Sequence, residues 1–259
     1  MMTDRNAEKG RVCMKFTNCI AIVSGKGGTG KTTVCAGVAS ALAALGKTVC
    51  AVDMDIGLHN LDLALGLQDA ALFDLSDAVS GRAELNRVLL SRPDLPNLSM
   101  IASPADGADL EDAEAVESVF RTLSARFDYV LLDAPAGLGR GFELSIRHAL
   151  RALVVSTPDT PCMMDSATAA IRLDENGVED AKLVLNRVDR RLIRKKSAFN
   201  VDESMDFVGL PLAGVIFEDK AITVAFNRCT PVLLAGEKSA APFVEIARRL
   251  EGIAIRPTL

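Results

Sequence analysis

The chain has 259 residues, of which 49% are hydrophobic and 24% charged, and its formal net charge is −5 at pH 7. This length and apolar content suffice for one large α/β domain or two small ones. The excess of acidic residues argues against nonspecific electrostatic binding to nucleic acid. The apolar runs are too short to span a membrane and the N-terminus lacks the pattern of a secretory signal, so the sequence predicts a cytoplasmic protein.

Residues 1–13 are polar and precede the first apolar run, which predicts a disordered N-terminal tail. From there on, apolar runs that lack polar alternation follow one another, as is typical of strands buried on both faces of a sheet. Strands are predicted at 19–24, 48–53, 98–102, 129–133, 153–157, 182–186 and 212–216. Helices are predicted at 31–45, 110–126, 141–150, 164–175 and 241–252. Strand and helix in repeated alternation predict the α/β class, with a single doubly wound, mostly parallel sheet, helices on both faces and one domain over 14–259.

A glycine-rich loop lies between the first predicted strand and the first predicted helix. It contains Gly25-x-x-x-x-Gly30-Lys31-Thr32, in the strand, loop and helix context that a P-loop requires. Glycines let backbone N–H groups approach phosphate oxygens, and the helix start adds unpaired N–H donors. Lys31 would neutralise the β- and γ-phosphates, and the Thr32 hydroxyl would ligate Mg²⁺. The predicted phosphate contacts are Gly25, Gly27, Gly28, Thr29, Gly30, Lys31, Thr32 and Thr33.

Carboxylates end two other predicted strands. Asp53 and Asp55 follow the second strand and project to one side of it, where they would hold Mg²⁺ through water or orient an attacking water. The same pair also suits a turn in which aspartates cap a helix, so this alternative stays open. Asp133 ends the strand predicted at 129–133, and we expect it to hold Mg²⁺ indirectly. Gly137, four residues later, would let the backbone swing toward the γ-phosphate.

These motifs resemble those of the MinD/ParA superfamily of P-loop ATPases, with features closest to its MinD branch. GKGGTGKT matches the family's deviant Walker A motif, D-x-D-x-G-L-x-N-L-D its switch I and D-x-P-A-G its switch II. The resemblance implies Mg²⁺-dependent hydrolysis of ATP to ADP by an ATP-dependent homodimer, in which Lys26 reaches the partner subunit's nucleotide. It further implies that Asp55 positions the attacking water, that Asp53 supports the Mg²⁺ shell and Lys31, and that Asn186 contacts adenine.

The resemblance also implies a cellular role in placing the division site, through a protein partner bound at the dimer and switch face. Two segments depart from the family pattern. Phe217 stands where the family usually has proline, in a stretch near the base. The end of the chain, IAIRPTL, lacks the basic amphipathic helix with which such proteins bind membrane. We therefore expect direct membrane binding to be weak or absent, and any peripheral association with the inner face of the membrane to depend on a partner.

Other functions remain open at this point. Placement of flagella, and ParA-like positioning of DNA or cargo, use related ATPases. DNA is not expected as a partner, because the chain is acidic and its one basic cluster lies at 187–196. That cluster is either a solvated surface or a docking patch for an acidic partner, DNA or anionic lipid. A metal-cluster carrier is disfavoured, because the six cysteines form no C-x-x-C pair and none follows switch II at 134–151.

Overall fold

The computed structural model describes residues 13–58, 60–68 and 70–255. The tail predicted at 1–13 therefore lies outside the described residues except for Cys13, and so do the last four residues of the chain. Among the described residues, none of the helices combines the length and the apolar character needed to cross a bilayer.

All eight strands of the described chain form one sheet, in the order β3-β4-β2-β5-β1-β6-β7-β8. Every pairing is parallel except that of β3 with β4 at one edge. The predicted doubly wound, mostly parallel sheet is confirmed. The strands are β1 (Phe16–Val23), β2 (Val49–Asp53), β3 (Leu90–Arg92), β4 (Leu95–Ile101), β5 (Tyr129–Asp133), β6 (Ala149–Ser156), β7 (Asp180–Val188) and β8 (Leu212–Phe217).

Helices cover both faces of this sheet, because alternate residues of each strand point to opposite sides. Ile20 and Ile22 of β1 belong to the core under one face, whereas Cys19, Ala21 and Val23 belong to the core under the other. The helices are α1 (Lys31–Ala44), α2 (Leu61–Leu65), α3 (Leu75–Val79), α4 (Leu85–Val88), α5 (Ala113–Arg126), α6 (Arg140–Ile146), α7 (Thr160–Glu175), α8 (Arg190–Arg194), α9 (Val201–Val208), α10 (Lys220–Asn227) and α11 (Glu237–Leu250).

Helix α1 lies between the sheet and α11, and its sequence is apolar on nearly every side. Its residues from Val34 to Ala43 are all buried, as expected for a helix without a solvent face. Gly37 lets α11 approach: a Cβ at that position would lie 2.3 Å from Cδ1 of Phe243. The close packing fixes the start of α1, and with it the phosphate loop, against the centre of the sheet.

The helix predicted at 141–150 is wrong in its last part. Helix α6 ends at Ile146 and strand β6 begins at Ala149. Phe16 of β1 pairs with Ala149, and its N–H donates to the carbonyl oxygen of His148 over 2.9 Å. A partner strand distant in sequence thus decides the conformation of a segment whose local pattern is helical.

Other boundaries shift for local reasons. Asp112 caps α5 by accepting from Glu114 N and Ala115 N, so the helix predicted from residue 110 begins at Ala113 after a separate 3₁₀ turn. Asp159 caps α7 and Pro161 stands in its first turn, which starts that helix four residues before the prediction. The short elements β3, α2–α4 and α8–α10 were not predicted.

Candidate functional site

The phosphate loop follows β1, and it ends where α1 begins. Gly28 and Gly30 have φ angles of 80° and 90°, which glycine adopts without the steric cost that a side chain brings. Gly30 occupies the N-cap position and Lys31 is the first helical residue. The unpaired N–H groups of the first turn of α1 therefore face the loop, which makes this end of the helix suited to an anion.

Two neighbouring elements hold the loop closely. A Cβ on Gly25 would lie 2.5 Å from Cβ of Asp165 in α7, and one on Gly30 would lie 2.3 Å from Nδ2 of Asn186. Asn186 lies at the end of β7, and its Nδ2 donates to the carbonyl oxygen of Thr29 over 2.7 Å. Asn186 thus shapes the phosphate loop, a function that its position in the sequence did not reveal. Its predicted contact with adenine stays a prediction.

The two strand-end aspartates Asp53 and Asp133 lie side by side. Strands β2 and β5 are neighbours, and Asp53 pairs with Asp133 in their register. Each residue is only 1% exposed. Burial raises the pKa of Asp53 to about 8, with a further increase from the charge of Asp133. Burial likewise raises the pKa of Asp133 to about 7, although the Thr32 hydroxyl and Lys31 oppose the shift.

Lys31 is the cation that faces these carboxylates. It is 7% exposed, and desolvation lowers its pKa, while Asp133 and Asp55 raise it. A buried ammonium group beside buried carboxylates is stable only where each partly compensates the other. An incoming phosphate would therefore find a lysine already held at the start of α1.

Asp133 and Thr32 fit the Mg²⁺ ion that the resemblance implies. Oδ1 of Asp133 is buried and has no hydrogen-bond partner within the described part of the chain, so it can accept from metal-bound water. The Thr32 hydroxyl bonds to the same carboxylate. Among the described residues, no three His, Cys, Asp or Glu side chains converge to hold a metal by themselves. Thr32 would therefore bind the ion directly, with Asp53, Asp55 and Asp133 acting through water, as Mg²⁺ at phosphates usually allows.

The loop that carries Asp55 is held by its backbone. Asp55 N donates to Oδ1 of Asp53 over 2.9 Å, and Ser103 Oγ donates to the carbonyl oxygen of Asp55 over 2.9 Å. The Asp55 carboxylate is half-buried, and burial raises its pKa while Lys31 lowers it. Oδ2 of Asp53 accepts from Leu61 N over 3.3 Å. The alternative in which the two aspartates only shape a turn describes Asp53 well, but it gives the Asp55 carboxylate no function.

The loop after β5 contains Gly137, whose φ is 86° and where an added Cβ would meet nothing within 4 Å. The positive φ accounts for glycine at this position, although space for a side chain is present. The predicted movement of this loop toward the γ-phosphate stays a prediction.

A cavity of about 260 Å³ opens beside the phosphate loop, between the end of β7 and α10. Asn186 lies at its inner end, and Ile222 and Phe226 of α10 give it an apolar wall. Arg187, Glu218 and Asp219 supply polar groups. A planar base with a sugar suits such a pocket. Sequence reasoning found Asn186 and the stretch before Asp219, but α10 was not predicted, and therefore its wall residues were missed.

Lys26 differs from Lys31 in being exposed. Its carbonyl oxygen accepts from Ser24 Oγ over 2.6 Å, which fixes the backbone and leaves the side chain free. Lys26 lines a wide cleft of about 510 Å³ together with Gly27, Gly28 and Thr29 of the phosphate loop and with Asp159, Cys162 and Leu192. The exposed lysine therefore lies on the open side of the phosphate loop.

Nucleotide binding is expected to release protons at pH 7. The pKa values of about 8 and 7 mean that at pH 7 Asp53 is mostly protonated and Asp133 about half protonated in the free protein. A nearby Mg²⁺ ion favours the charged carboxylates, so both pKa values fall and on the order of one proton leaves. Calorimetric titration with Mg-ADP in HEPES and in Tris, which differ in ionisation enthalpy, measures the number.

The sign of this release depends on pH. At pH 9 the two carboxylates are already ionised before nucleotide binds, so the release disappears, or becomes uptake where Lys31 gains a proton. Asp53→Asn, which cannot release a proton, serves as the control and should reduce the release at pH 7. Equal release at both pH values would contradict the assignment of these protons to the carboxylates.

Comparison with known proteins gives the same picture. The model of the CobQ/CobB/MinD/ParA nucleotide binding domain matches residues 20–232. The septum site-determining protein MinD of Helicobacter pylori is 38% identical over 241 residues, covering 90% of each chain. The corresponding protein of Bacillus subtilis is 34% identical over 237 residues, covering 90% of this chain and 88% of that one.

Solved structures agree in fold. MinD of Aquifex aeolicus superposes with a TM-score of 0.83 at 28% identity, over 93% of this chain and 100% of that one. MinD of Pyrococcus horikoshii, complexed with Mg-ADP, gives a TM-score of 0.78 at 29% identity, over 91% and 96% of the two chains. The family match, the relatives and the solved structures agree with one another. The chain therefore belongs to the CobQ/CobB/MinD/ParA family of nucleotide-binding domains, and to its MinD/ParA group of P-loop ATPases.

Proposed function

We propose that the chain is an ATP-dependent dimerising switch of the MinD type, which hydrolyses ATP to ADP and phosphate and regulates the placement of the division site through a protein partner. The observation that carries the proposal is the pair of lysines in one phosphate loop. Lys31 is buried beside the carboxylates, whereas Lys26 is exposed and lines a cleft on the open side of the loop. One lysine suffices to hold a nucleotide, so the second is explained by a second subunit.

The residues around Lys31 have different functions in the hydrolysis of ATP. Lys31 and the N–H groups of the loop and the first turn of α1 bind and orient the phosphates. The half-buried Asp55 carboxylate orients the attacking water, and its backbone hydrogen bonds hold it in place. Mg²⁺ supplies charge neutralisation at the phosphates. Phosphoryl transfer needs positioning and neutralisation more than a strong base, and the site offers both.

The same geometry connects the nucleotide with a surface. Asp55 and Gly137 lie on loops that follow neighbouring strands, β2 and β5, and both loops reach the protein surface. Loops that order around a γ-phosphate and relax after hydrolysis turn nucleotide state into a change of surface. We propose that the partner binds this dimer and switch face. The solved complex of MinC with MinD from Aquifex aeolicus, similar to this chain with a TM-score of 0.84 at 30% identity over 93% of it and 98% of that chain, supports a protein partner.

We further propose that residues 14–259 form one domain, which the single sheet of eight strands supports. The protein would act in the cytoplasm and reach the inner face of the membrane through its partner.

Lys26→Ala is expected to bind Mg-ATP within about threefold of the wild-type affinity but to stay monomeric. Lys26 is exposed and makes no side-chain contact that shapes the loop, so its loss leaves the nucleotide's own subunit intact. Size-exclusion chromatography with light scattering, in Mg-ATP and in Mg-ADP, gives the oligomeric state.

Lys238→Ala, at an exposed position at the start of α11, makes the same change of charge elsewhere and should dimerise normally. A dimer of Lys26→Ala equal to that of the wild type would remove the cross-subunit function of this lysine. A wild-type protein that stays monomeric in both Mg-ATP and Mg-ADP would instead favour a nucleotide-holding adaptor.

A further inference from the structure

A cluster of cations lies apart from the nucleotide site, on α8 and the residues that follow it. Arg190, Arg191, Arg194, Lys195 and Lys196 are all exposed. None of the five forms an ion pair with any residue that the structure describes. In a chain with a net charge of −5, five unneutralised cations within seven residues are a local reversal of sign.

Two of these arginines border an apolar cavity of about 520 Å³ between α8, α9 and the edge strand β8. Such a volume lies in the range of small-ligand and side-chain pockets. Arg190 and Arg194 lie at its rim, whereas Arg191 and Lys195 are not among its lining residues. The apolar part of the lining consists of Val188, Ile193, Val201, Val215 and Phe217, and Asn200 and Asp202 of the α9 side also line the cavity.

Arg190 is held at this rim by an aromatic ring. Its guanidinium carbon lies 4.0 Å from the centre of the Phe217 ring, which is a cation–π distance. The planar guanidinium group is thereby preorganised, and its outer N–H groups stay available to a carboxylate. An apolar floor with a fixed arginine at its edge suits a ligand that combines an apolar group with negative charge.

We propose that the cavity between α8 and α9 is a docking site for an acidic peptide segment of a partner protein, with a bulky apolar side chain that enters the cavity. Charge complementarity with Arg190 and Arg194 selects the acidic flank, and the lining selects the apolar anchor. Neither arginine lines the base cavity beside the phosphate loop, although Phe217, against which Arg190 lies, lines both cavities.

Two features of this surface favour a peptide over a membrane or DNA. The apolar area is concave, whereas a membrane surface meets convex apolar side chains. The opposite wall belongs to α9, which exposes Asp202, Glu203 and Asp206. Asp202 also lines the cavity. These carboxylates would repel a layer of anionic headgroups or a phosphate backbone that covered both helices, whereas the acidic residues of a short peptide can lie along α8, away from α9.

The test measures the fluorescence anisotropy of a labelled peptide, Asp-Glu-Asp-Leu-Phe-Glu-Asp-Glu, titrated with the full-length protein without nucleotide. We expect saturable binding. Exchange of Leu-Phe for Ser-Ser in the peptide, or of its acids for their amides, should each weaken binding. The double variant Arg190→Ala/Arg194→Ala should weaken binding about tenfold, the combined loss of two partly exposed ion pairs.

Arg191→Ala/Lys195→Ala is the matched control, because it removes the same charge from the same segment without touching the rim of the cavity. It should change the affinity by less than about threefold, the effect of screened surface charges. Equal losses of peptide affinity in the two double variants would overturn the proposal, because the peptide would then respond only to the positive charge of the segment as a whole. Absence of binding to the peptide would also overturn it.

Two further probes identify a different occupant. The first is vesicles of phosphatidylglycerol and phosphatidylcholine, and the second is a short DNA duplex. If either binds through Arg190 and Arg194 more tightly than the peptide does, the cavity is a lipid site or a DNA site and not a peptide site. Circular dichroism of both double variants checks the fold. Arg194→Ala alone keeps the contact of Arg190 with Phe217 and should leave nucleotide affinity unchanged, so failure of this site is distinguishable from failure of the ATPase proposal.

Discussion

Lys31→Ala is expected to lower the affinity for Mg-ATP and Mg-ADP by about a hundredfold or more. Lys31 is the buried cation of a site that also contains the carboxylates of Asp53, Asp55 and Asp133. Without it, phosphate oxygens lose a charge-assisted donor and meet a site in which acidic groups are no longer opposed. Fluorescence titration with an N-methylanthraniloyl derivative of ADP measures the loss.

The matched control for this variant is Lys26→Ala, which removes the other lysine of the same loop. It should retain nucleotide affinity, because Lys26 is exposed and the buried Lys31 stays in place. Circular dichroism and thermal unfolding of Lys31→Ala would separate lost binding from lost folding, and we expect a folded protein, because the neighbouring carboxylates have raised pKa values and can take up protons. Retention of affinity within about threefold would show that the loop N–H groups alone hold the phosphates.

The central part of the fold could be predicted because its strands are buried on both faces. The strand predicted at 129–133 coincides with β5, and the other predicted strands each overlap an observed one. The errors concern segments whose conformation depends on distant partners. Residues 147–150 leave the helical pattern because Phe16 pairs with Ala149, and β3 exists only as an antiparallel partner of β4 at the sheet edge. A local pattern contains no information about either pairing.

The candidate site shows the same division. The phosphate loop and the strand-end aspartates were predicted from local motifs, since each motif has its own spacing and context. The side-by-side arrangement of Asp53 and Asp133 follows from the parallel register of β2 and β5. By contrast, the bond from Asn186 to Thr29 joins residues 157 positions apart. Contacts over such a separation were not visible in the sequence, and neither was the wall that α10 adds to the base cavity.

Asp55→Ala is expected to separate binding from hydrolysis. The variant should bind Mg-ATP with an affinity within about threefold of the wild type. It should hydrolyse ATP at least about a hundredfold more slowly, and it should therefore accumulate as a dimer. The reason lies in how the loop is held. The backbone N–H and carbonyl of Asp55 make the hydrogen bonds to Asp53 and Ser103, and alanine keeps both, so only the carboxylate that orients water is lost.

Asp53→Ala is the contrasting variant two residues away. Asp53 accepts from Asp55 N and Leu61 N with its side chain, so its loss should loosen the loop and weaken binding together with hydrolysis. Phosphate release and light scattering in Mg-ATP, measured on both variants, test the difference. If Asp55→Ala lost nucleotide affinity as fully as Lys31→Ala, the Asp55 carboxylate would belong to the binding of the nucleotide and not to the water. If it kept full turnover, the attacking water would be positioned by another group, and the trapped dimer would not form.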